Sequence, residues 1–288
     1  FTEVLCVEPR GRSTYRDCGI WKDEHIAPLR RIQALLRRCG TVPGAQIGHC
    51  GPKAARQKPW DGLRPLGPED AARGEPPWTP VASTGEPSAE GYHVPEALSP
   101  GEIARVVDAF GQGARRCAEA GFDVLDVHAA HGYLIHTFLS PVSNKRTDAY
   151  GGDRKGRMRF ALEIAEAIRV HWPEDKPILF RLSCIDRYEA GWEMADTLVL
   201  AAELGARGID AIDCSSGGIR GANSLAAFDR IGGPPPGYQE PIAAENRARH
   251  GMPPRQDDQR QFGYWPPNYG WWLQYREKQQ ARREAARG

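Results

Sequence analysis

GFDVLDVHAAHGY, residues 121–133, is the stretch on which the fold turns. It follows SPGEIARVVDAFGQGARRCAEA at 99–120, where Ser99 and Glu102 make a capping-box pattern and Pro100 takes the first helical position. Ile103, Val106, Val107, Phe110, Ala114 and Cys117 then mark one helical face, and Gly121 ends it. FDVLDVH therefore reads as a strand entered from a helix. The same grammar recurs downstream, where MADTLVLAAELGARG is a helix and IDAIDCSSGG a strand with a glycine-rich exit. GFDVLD at 121–126 and GIDAID at 208–213 share one pattern: Gly, apolar, Asp, any residue, apolar, Asp. Between them lie a predicted helix over 157–170 and an apolar strand, PILFRLS, at 177–183. Helix and strand alternating with short turns predict an α/β fold with a parallel sheet covered by helices, either a barrel or an open doubly wound sheet.

Upstream, TEVLCVE is a short apolar run, and WKDEHIAPLRRIQALLRRCG reads as a helix whose Ile26, Leu29, Ile32, Leu35 and Leu36 share a face. TVPGAQIGHCG is a weak strand. Residues 51–95 are dense in Pro, Gly, Ser and charge, and predict an excursion over the surface. Downstream, QEPIAAENRARHG is a candidate helix. The segment around Tyr264, Trp265, Tyr269, Trp271 and Trp272 is an aromatic arm that needs a surface to pack on.

The 288 residues suit one large domain, and a β/α barrel needs roughly 250. With 38 Lys plus Arg against 37 Asp plus Glu, the net charge of +1 gives no general attraction for polyanions or anionic membranes. The basic tail after Tyr275 reads as a solvated helix end, so no nucleic-acid partner is expected. No run reaches a membrane span, and the start lacks a basic stretch followed by an apolar core, so a cytoplasmic protein without membrane contact is expected. Seven scattered Cys with no CxxC pair predict reduced, half-buried fillers and no zinc ribbon or disulfide framework.

Chemistry concentrates in HAAHGYLIHTFLSPVSNKRTDAYGG at 128–152, where the strand FDVLDV ends. Ligands of parallel β/α folds bind at the carboxyl ends of strands, which places His128, His131 and Tyr133 where a reaction is expected. Two imidazoles three positions apart could also share a metal, as in a metal-dependent hydrolase, but no carboxylate stands at a matching spacing, so no metal is expected. The plainer alternative is one histidine capping a turn and the other at the surface. Arg181, a cation in an apolar strand, could simply pair with Asp126 or Asp213, and Gln46 could be a solvated strand end.

The run from His128 through Gly152 resembles the signature of the old yellow enzyme family, FMN-dependent ene-reductases, in the branch that includes xenobiotic reductases. The similarity extends to GIWKDEHI at 19–26, QIGHCGPKA at 46–54, the strand holding Arg181, DCSSGG at 213–218, PPGYQEP at 235–241 and YGWWL at 269–273. The resemblance implies a TIM-type (β/α)8 barrel holding FMN, NAD(P)H as reductant, and hydride transfer to the activated C=C of a small molecule such as an enone or nitroalkene. It implies His128 and His131 as donors to the substrate oxygen, where negative charge develops, and Tyr133 as proton donor. Gln46 would meet the pyrimidine edge of the flavin, Arg181 would neutralise the reduced ring, and Trp272 on the arm would shape the substrate pocket, with a homodimer through that arm.

The sequence also departs from the family's pattern. Pro9 and Arg10 follow Val7 and Glu8 where the family has a small flavin-contacting run, Pro52 replaces an Arg and Gly156 an Asn. After Met252, PPRQDDQRQFGYWPP leads straight to the aromatic arm, where the family has a seventh strand, a helix and an eighth strand. Backbone N–H groups after those strands hold phosphate in such barrels. The expectation is therefore an incomplete barrel relative over residues 1–252, with strands 1, 7 and 8 not evident, and an arm and tail over 253–288. The competing expectation is a flavin-free remnant that acts as a binding protein or has no activity.

Overall fold

The computed structural model describes residues 1–220. Five strands form one parallel sheet: β1 (Val4–Cys6), β2 (Gly44–Gly48), β5 (Val124–Ala129), β6 (Ile178–Ser183) and β7 (Ala211–Ser215), in that spatial order. These are the five positions at which the sequence places strands. Two short strands, β3 (Val81–Ala82) and β4 (Glu96–Ala97), pair separately. The helices are α1 (Ile26–Arg38), α2 (Pro68–Ala72), α3 (Pro100–Ala120), α4 (Leu134–Leu139), α5 (Arg154–His171) and α6 (Met194–Gly205).

Each long helix starts and stops where its local chemistry dictates. The Ser99 hydroxyl accepts from the Glu102 N–H at the start of α3 while the Glu102 carboxylate accepts from the Ser99 N–H, and Gly121 ends the helix at φ 96°. At α5 the Asp153 carboxylate accepts from the Gly156 N–H. Helix α3 packs on α5 and α1, and α5 on α6, so the helices form one layer. Ala45, Ile47, Leu125, Val127, Ala129, Ile178, Phe180 and Leu182 alternate along the strands and bury their side chains in one core with Ile103, Phe110, Phe160, Ile164 and Ile168 of the helices.

Two expectations need correction. In α1 only Ile26 and Leu29 are buried, whereas Ile32 and Leu35 are 47% and 52% exposed, because the second half of this helix runs past the edge of the core. The segment 51–95 is not wholly superficial: Lys53, Ala54, Ala55, Arg56, Gln57, Leu66 and Asp70 are buried. Hydrogen bonds replace apolar periodicity there, with the Gln57 amide donating to both Asp70 carboxylate oxygens at 3.1 and 3.0 Å. The predicted helix near 239–251, the missing strands after Met252, the aromatic arm with Trp272, and the homodimer assigned to it lie outside the described residues. Among the described residues, no helix is long and apolar enough to cross a membrane.

Candidate functional site

The strand residues that alternate with the core positions carry most of the chemistry. Register sets Gln46 beside Asp126, and a second row places His128 beside Arg181 and Arg181 beside Asp213. Four strands thus bring together, on the face turned away from the helices, residues that the sequence separates widely. Gln46 donates through Nε2 to Asp126 Oδ2 at 2.5 Å. Arg181 Nε lies 3.3 Å from Asp213 Oδ2, an ion pair without hydrogen-bond alignment, and both side chains keep a third or more of their surface exposed. Asp126 Oδ1 is buried without a hydrogen-bond partner among the described residues. Burial first, and then the Asp213 charge, push the Asp126 carboxyl up to about 6, against the opposing pull of Gln46 and Arg181.

The turn after β5 is held in an unusual shape. His131 has φ 59°, a left-handed conformation rare for a residue with a side chain. Its N–H donates to Ser183 Oγ at 2.9 Å and its carbonyl accepts from Lys53 Nζ at 2.7 Å, so both ends of the strained peptide are fastened. Lys53 Nζ also donates to the Gly218 carbonyl at 2.6 Å, tying the exit of β2 to the exits of β5 and β7. Gly132 packs directly against that Gly218 carbonyl with φ 72°, where a Cβ has no room. Burial, followed by the Arg56 charge, lowers the Lys53 ammonium to about 7. Below the turn, the Gly132 N–H donates to His136 Nδ1 at 2.8 Å, and His136 Nε2 bonds the buried Asp186 at 2.8 Å.

These bonds assign the histidine tautomers. The Ala130 N–H approaches His128 Nδ1 at 3.4 Å, which makes that nitrogen an acceptor and leaves the proton on Nε2. His128 Nε2 then donates to His131 Nδ1 at 3.2 Å, and His131 Nε2 to Ser215 Oγ at 2.5 Å. Burial above all, with His131 and Arg181 beside it, holds His128 well below the usual histidine range. Burial, Arg181, His136 and Lys53 bring His131 down to about 3. Both rings are neutral at pH 7. The Tyr133 ring lies 4.5 Å from the His128 ring, tilted by 33°. Its phenol is raised well above the usual range by Cys50, burial and Asp17.

Of the six residues singled out in the sequence, His128, His131 and Tyr133 lie at or just after the carboxyl end of β5, Gln46 and Arg181 lie within β2 and β6 on the same polar face, and Trp272 lies outside the described residues. The alternative partner foreseen for Arg181 is present, since Arg181 pairs with Asp213, and Gln46, for which a solvated strand end is the alternative, instead donates to Asp126. The His128–His131 pair gathers no third ligand within metal-binding distance among the described residues, and the group that does meet such spacing is Cys6, Asp17 and Cys50. Lys53, Ser183 and Ser215 were not legible as site residues. Lys53 sits in GPK, a run that reads as the start of a surface loop, and its burial depends on contacts with strands far along the chain.

The donor set suits a flat heteroaromatic ring with an electron-rich edge. A part-exposed arginine, a primary amide and a carboxyl with one oxygen unsatisfied among the described residues present mixed donors and acceptors on a single face. Arg181, Gln46 and Asp126 are the residues that could hold such a group.

The model of the NADH:flavin oxidoreductase / NADH oxidase family matches residues 1–230. An NADH:flavin oxidoreductase of Gibberella zeae is 37% identical over 84% of this chain and 60% of its own length. An NADPH dehydrogenase of Bacillus subtilis is 38% identical over 87% of this chain and 65% of its own length. The chain spans less than two thirds of these curated relatives. Among solved structures, morphinone reductase superposes with a TM-score of 0.60 at 26% identity, covering 73% of this chain and 57% of that one. A 2-naphthoyl-CoA reductase in complex with 2-naphthoyl-CoA gives 0.63 at 25% identity, covering 74% and 32%. The five-stranded sheet with its helix layer is thus part of a TIM-type barrel.

Proposed function

The chain belongs to the NADH:flavin oxidoreductase / NADH oxidase family, and from that premise we propose that it is an FMN-dependent NAD(P)H oxidoreductase of ene-reductase type. The observation that carries this is the register that sets Gln46, Asp126, His128, Arg181 and Asp213 side by side on one face of β2, β5, β6 and β7. A bound FMN would supply hydride chemistry, accepting it from NAD(P)H and passing it to an activated C=C of an enone or nitroalkene. Arg181 would hold the electron-rich edge of the ring, at the expense of its pair with Asp213. Gln46 would offer its amide to the pyrimidine edge.

His128 and His131 do the positioning on the substrate side. As neutral donors they favour an oxygen that gains charge over one that does not, with no ammonium-like charge to bind the ground state. In the present arrangement the Nε2–H of His128 is used by His131, and that of His131 by Ser215. Substrate binding therefore requires the His131 ring to leave Ser215, so that both donors turn to the incoming oxygen. Tyr133, stacked on His128 and protonated, would deliver the proton to the carbon. The polar partner is a small molecule, and no nucleic acid or membrane enters the scheme.

The test is FMN-loaded protein assayed for NAD(P)H-dependent reduction of an enone and a nitroalkene. Replacing both His128 and His131 by Ala is expected to lower alkene reduction by a factor of about 100 or more, with the flavin content retained. Undiminished reduction in the double variant would refute the roles assigned to the histidines.

A second scheme, a flavin-free binding protein, draws on the Arg181–Asp213 and Gln46–Asp126 pairs, which already engage the two residues assigned to the cofactor. Protein that stays colourless and takes up no added FMN would overturn the flavoenzyme scheme and leave this one standing.

A further inference from the structure

The exits of β1 and β2 carry a cluster that the flavin chemistry does not use. Cys6 closes β1, Cys50 follows β2, and Asp17 lies in the loop between β1 and α1. Two sulfurs and a carboxylate oxygen, one atom from each residue, lie within 4.8 Å of one another. Both cysteines are buried, at 0% and 3% exposed, and both are free thiols.

Backbone hydrogen bonds build this arrangement. Cys6 is in register with Gly48, which sets the end of β1 against the end of β2. The Gly11 carbonyl accepts from the Cys50 N–H at 2.8 Å and meets the Cys6 thiol at 3.5 Å, so one peptide fixes both cysteines. The return of the loop is fastened by Cys6 N–H to the Cys18 carbonyl at 3.0 Å and Ile20 N–H to the Cys6 carbonyl at 2.9 Å. Asp17 is aimed by the Ser13 N–H on one carboxylate oxygen at 2.7 Å and the Thr14 hydroxyl on the other at 2.6 Å. Outer partners of this kind orient a ligating carboxylate. The Tyr133 hydroxyl is a further polar neighbour of Cys50.

Two thiolates and a carboxylate form a borderline-soft donor set. It matches zinc, and it excludes magnesium and calcium, which take oxygen ligands. A tetrahedral zinc ion with Zn–S bonds of about 2.3 Å holds its sulfurs about 3.8 Å apart, so only a small inward movement of the three side chains closes the set. A pair of buried filler cysteines has no need of a carboxylate oriented by two hydrogen bonds.

We propose that Cys6, Asp17 and Cys50 form a binding site for a zinc-like divalent cation, with the fourth position beside the Tyr133 hydroxyl. Binding forms two S–metal bonds and one O–metal bond, sends two thiol protons to solvent, and changes no oxidation state. The resulting unit carries a net charge of −1, Arg12 stands close enough to act on Cys6, and Arg56 close enough to act on the neighbouring Tyr133. This site goes beyond the flavin chemistry and does not depend on it, although an ion there meets the residue assigned as proton donor.

The experiment is a Co2+ titration of the full chain, reduced and freed of metal with a chelator, followed by Zn2+. The expected result is one Co2+ per chain with thiolate-to-cobalt charge-transfer absorption, bleached by an equivalent of Zn2+. Cys6→Ser and Cys50→Ser should each remove most of that absorption, and Asp17→Asn should weaken binding by about tenfold or more while keeping it. Absence of the band, or a band unchanged in both cysteine variants and hence carried by the exposed Cys18 and Cys39, would overturn the proposal. Where a variant does not fold, zinc-edge X-ray absorption of the unaltered protein decides instead. Two sulfur neighbours at about 2.3 Å support the site; none, or four, overturn it. A Cys6–Cys50 disulfide formed in air by protein whose reduced form takes up no metal also overturns it.

Discussion

The two faces of the parallel sheet differ in how completely they are finished. On the helix side, Ala45, Ile47, Leu125, Val127, Ile178 and Phe180 are fully buried and packed against α3 and α5. On the opposite side, Gln46, Asp126, His128, Arg181 and Asp213 alternate with them along the same strands. There, among the described residues, a carboxylate oxygen lacks a hydrogen-bond partner, an arginine is paired only loosely, and the side chains of Arg181 and Asp213 are part-exposed. One face maximises burial; the other keeps polar groups under-satisfied and ready for a ligand. Neighbouring residues on one strand should therefore fail in different ways when changed.

The largest contrast lies within β6. Phe180→Ala should cost about 3–5 kcal/mol of stability, the usual price of emptying a buried aromatic site, measured by denaturant unfolding. A loss under 1 kcal/mol would mean that the helix-facing core is not the tight layer described.

Next comes Asp126, whose carboxyl is raised to about 6 mainly by burial. An acid with a raised folded-state value binds its proton more tightly when folded, so its cost to stability is absent below about pH 4 and grows as pH rises to 6. Asp126→Asn should match the unaltered protein below pH 4 and exceed it by on the order of 3 kcal/mol at pH 7. His131, lowered to about 3, acts in the opposite direction, since it favours the folded state increasingly as pH rises from about 3 to 6.5. That contribution cancels in the difference between the two proteins. A difference that stays flat with pH would show that Asp126 is not strained.

Smaller still is Lys53→Met, which leaves the carbonyls of His131 and Gly218 without their donor. About 1–3 kcal/mol should be lost, and amide exchange in the turn at 130–133 should quicken more than in β5. Unchanged exchange there would separate Lys53 from the shape of the turn.

The sequence makes one face of this comparison far easier to read than the other. Gly121, the Ser99–Glu102 capping box and the doubled Gly-apolar-Asp pattern are local signals, and they locate the strands of the sheet and the helices between them. His128, His131 and Tyr133 are legible because they leave a strand end together. Cys6 and Cys50 are not, since register alone, with Cys6 beside Gly48, brings them into one cluster. Lys53 hides in a Pro- and Gly-rich run that has no periodicity because hydrogen bonds, and not an apolar stripe, fasten it. Ile32 and Leu35 fit the helical spacing of α1 but extend beyond the core it packs on.

In the proposed function the polar face holds a flavin through Arg181 and Gln46. FMN fluorescence titrated with the unaltered protein and with Arg181→Met tests it most directly. Quenching should saturate at one FMN per chain. The variant should bind at least about tenfold more weakly, the effect of losing one charge-assisted contact, while its melting temperature stays close to that of the parent because a part-exposed ion pair contributes little. Equal quenching by both proteins, or no saturation with the unaltered chain, would contradict the account.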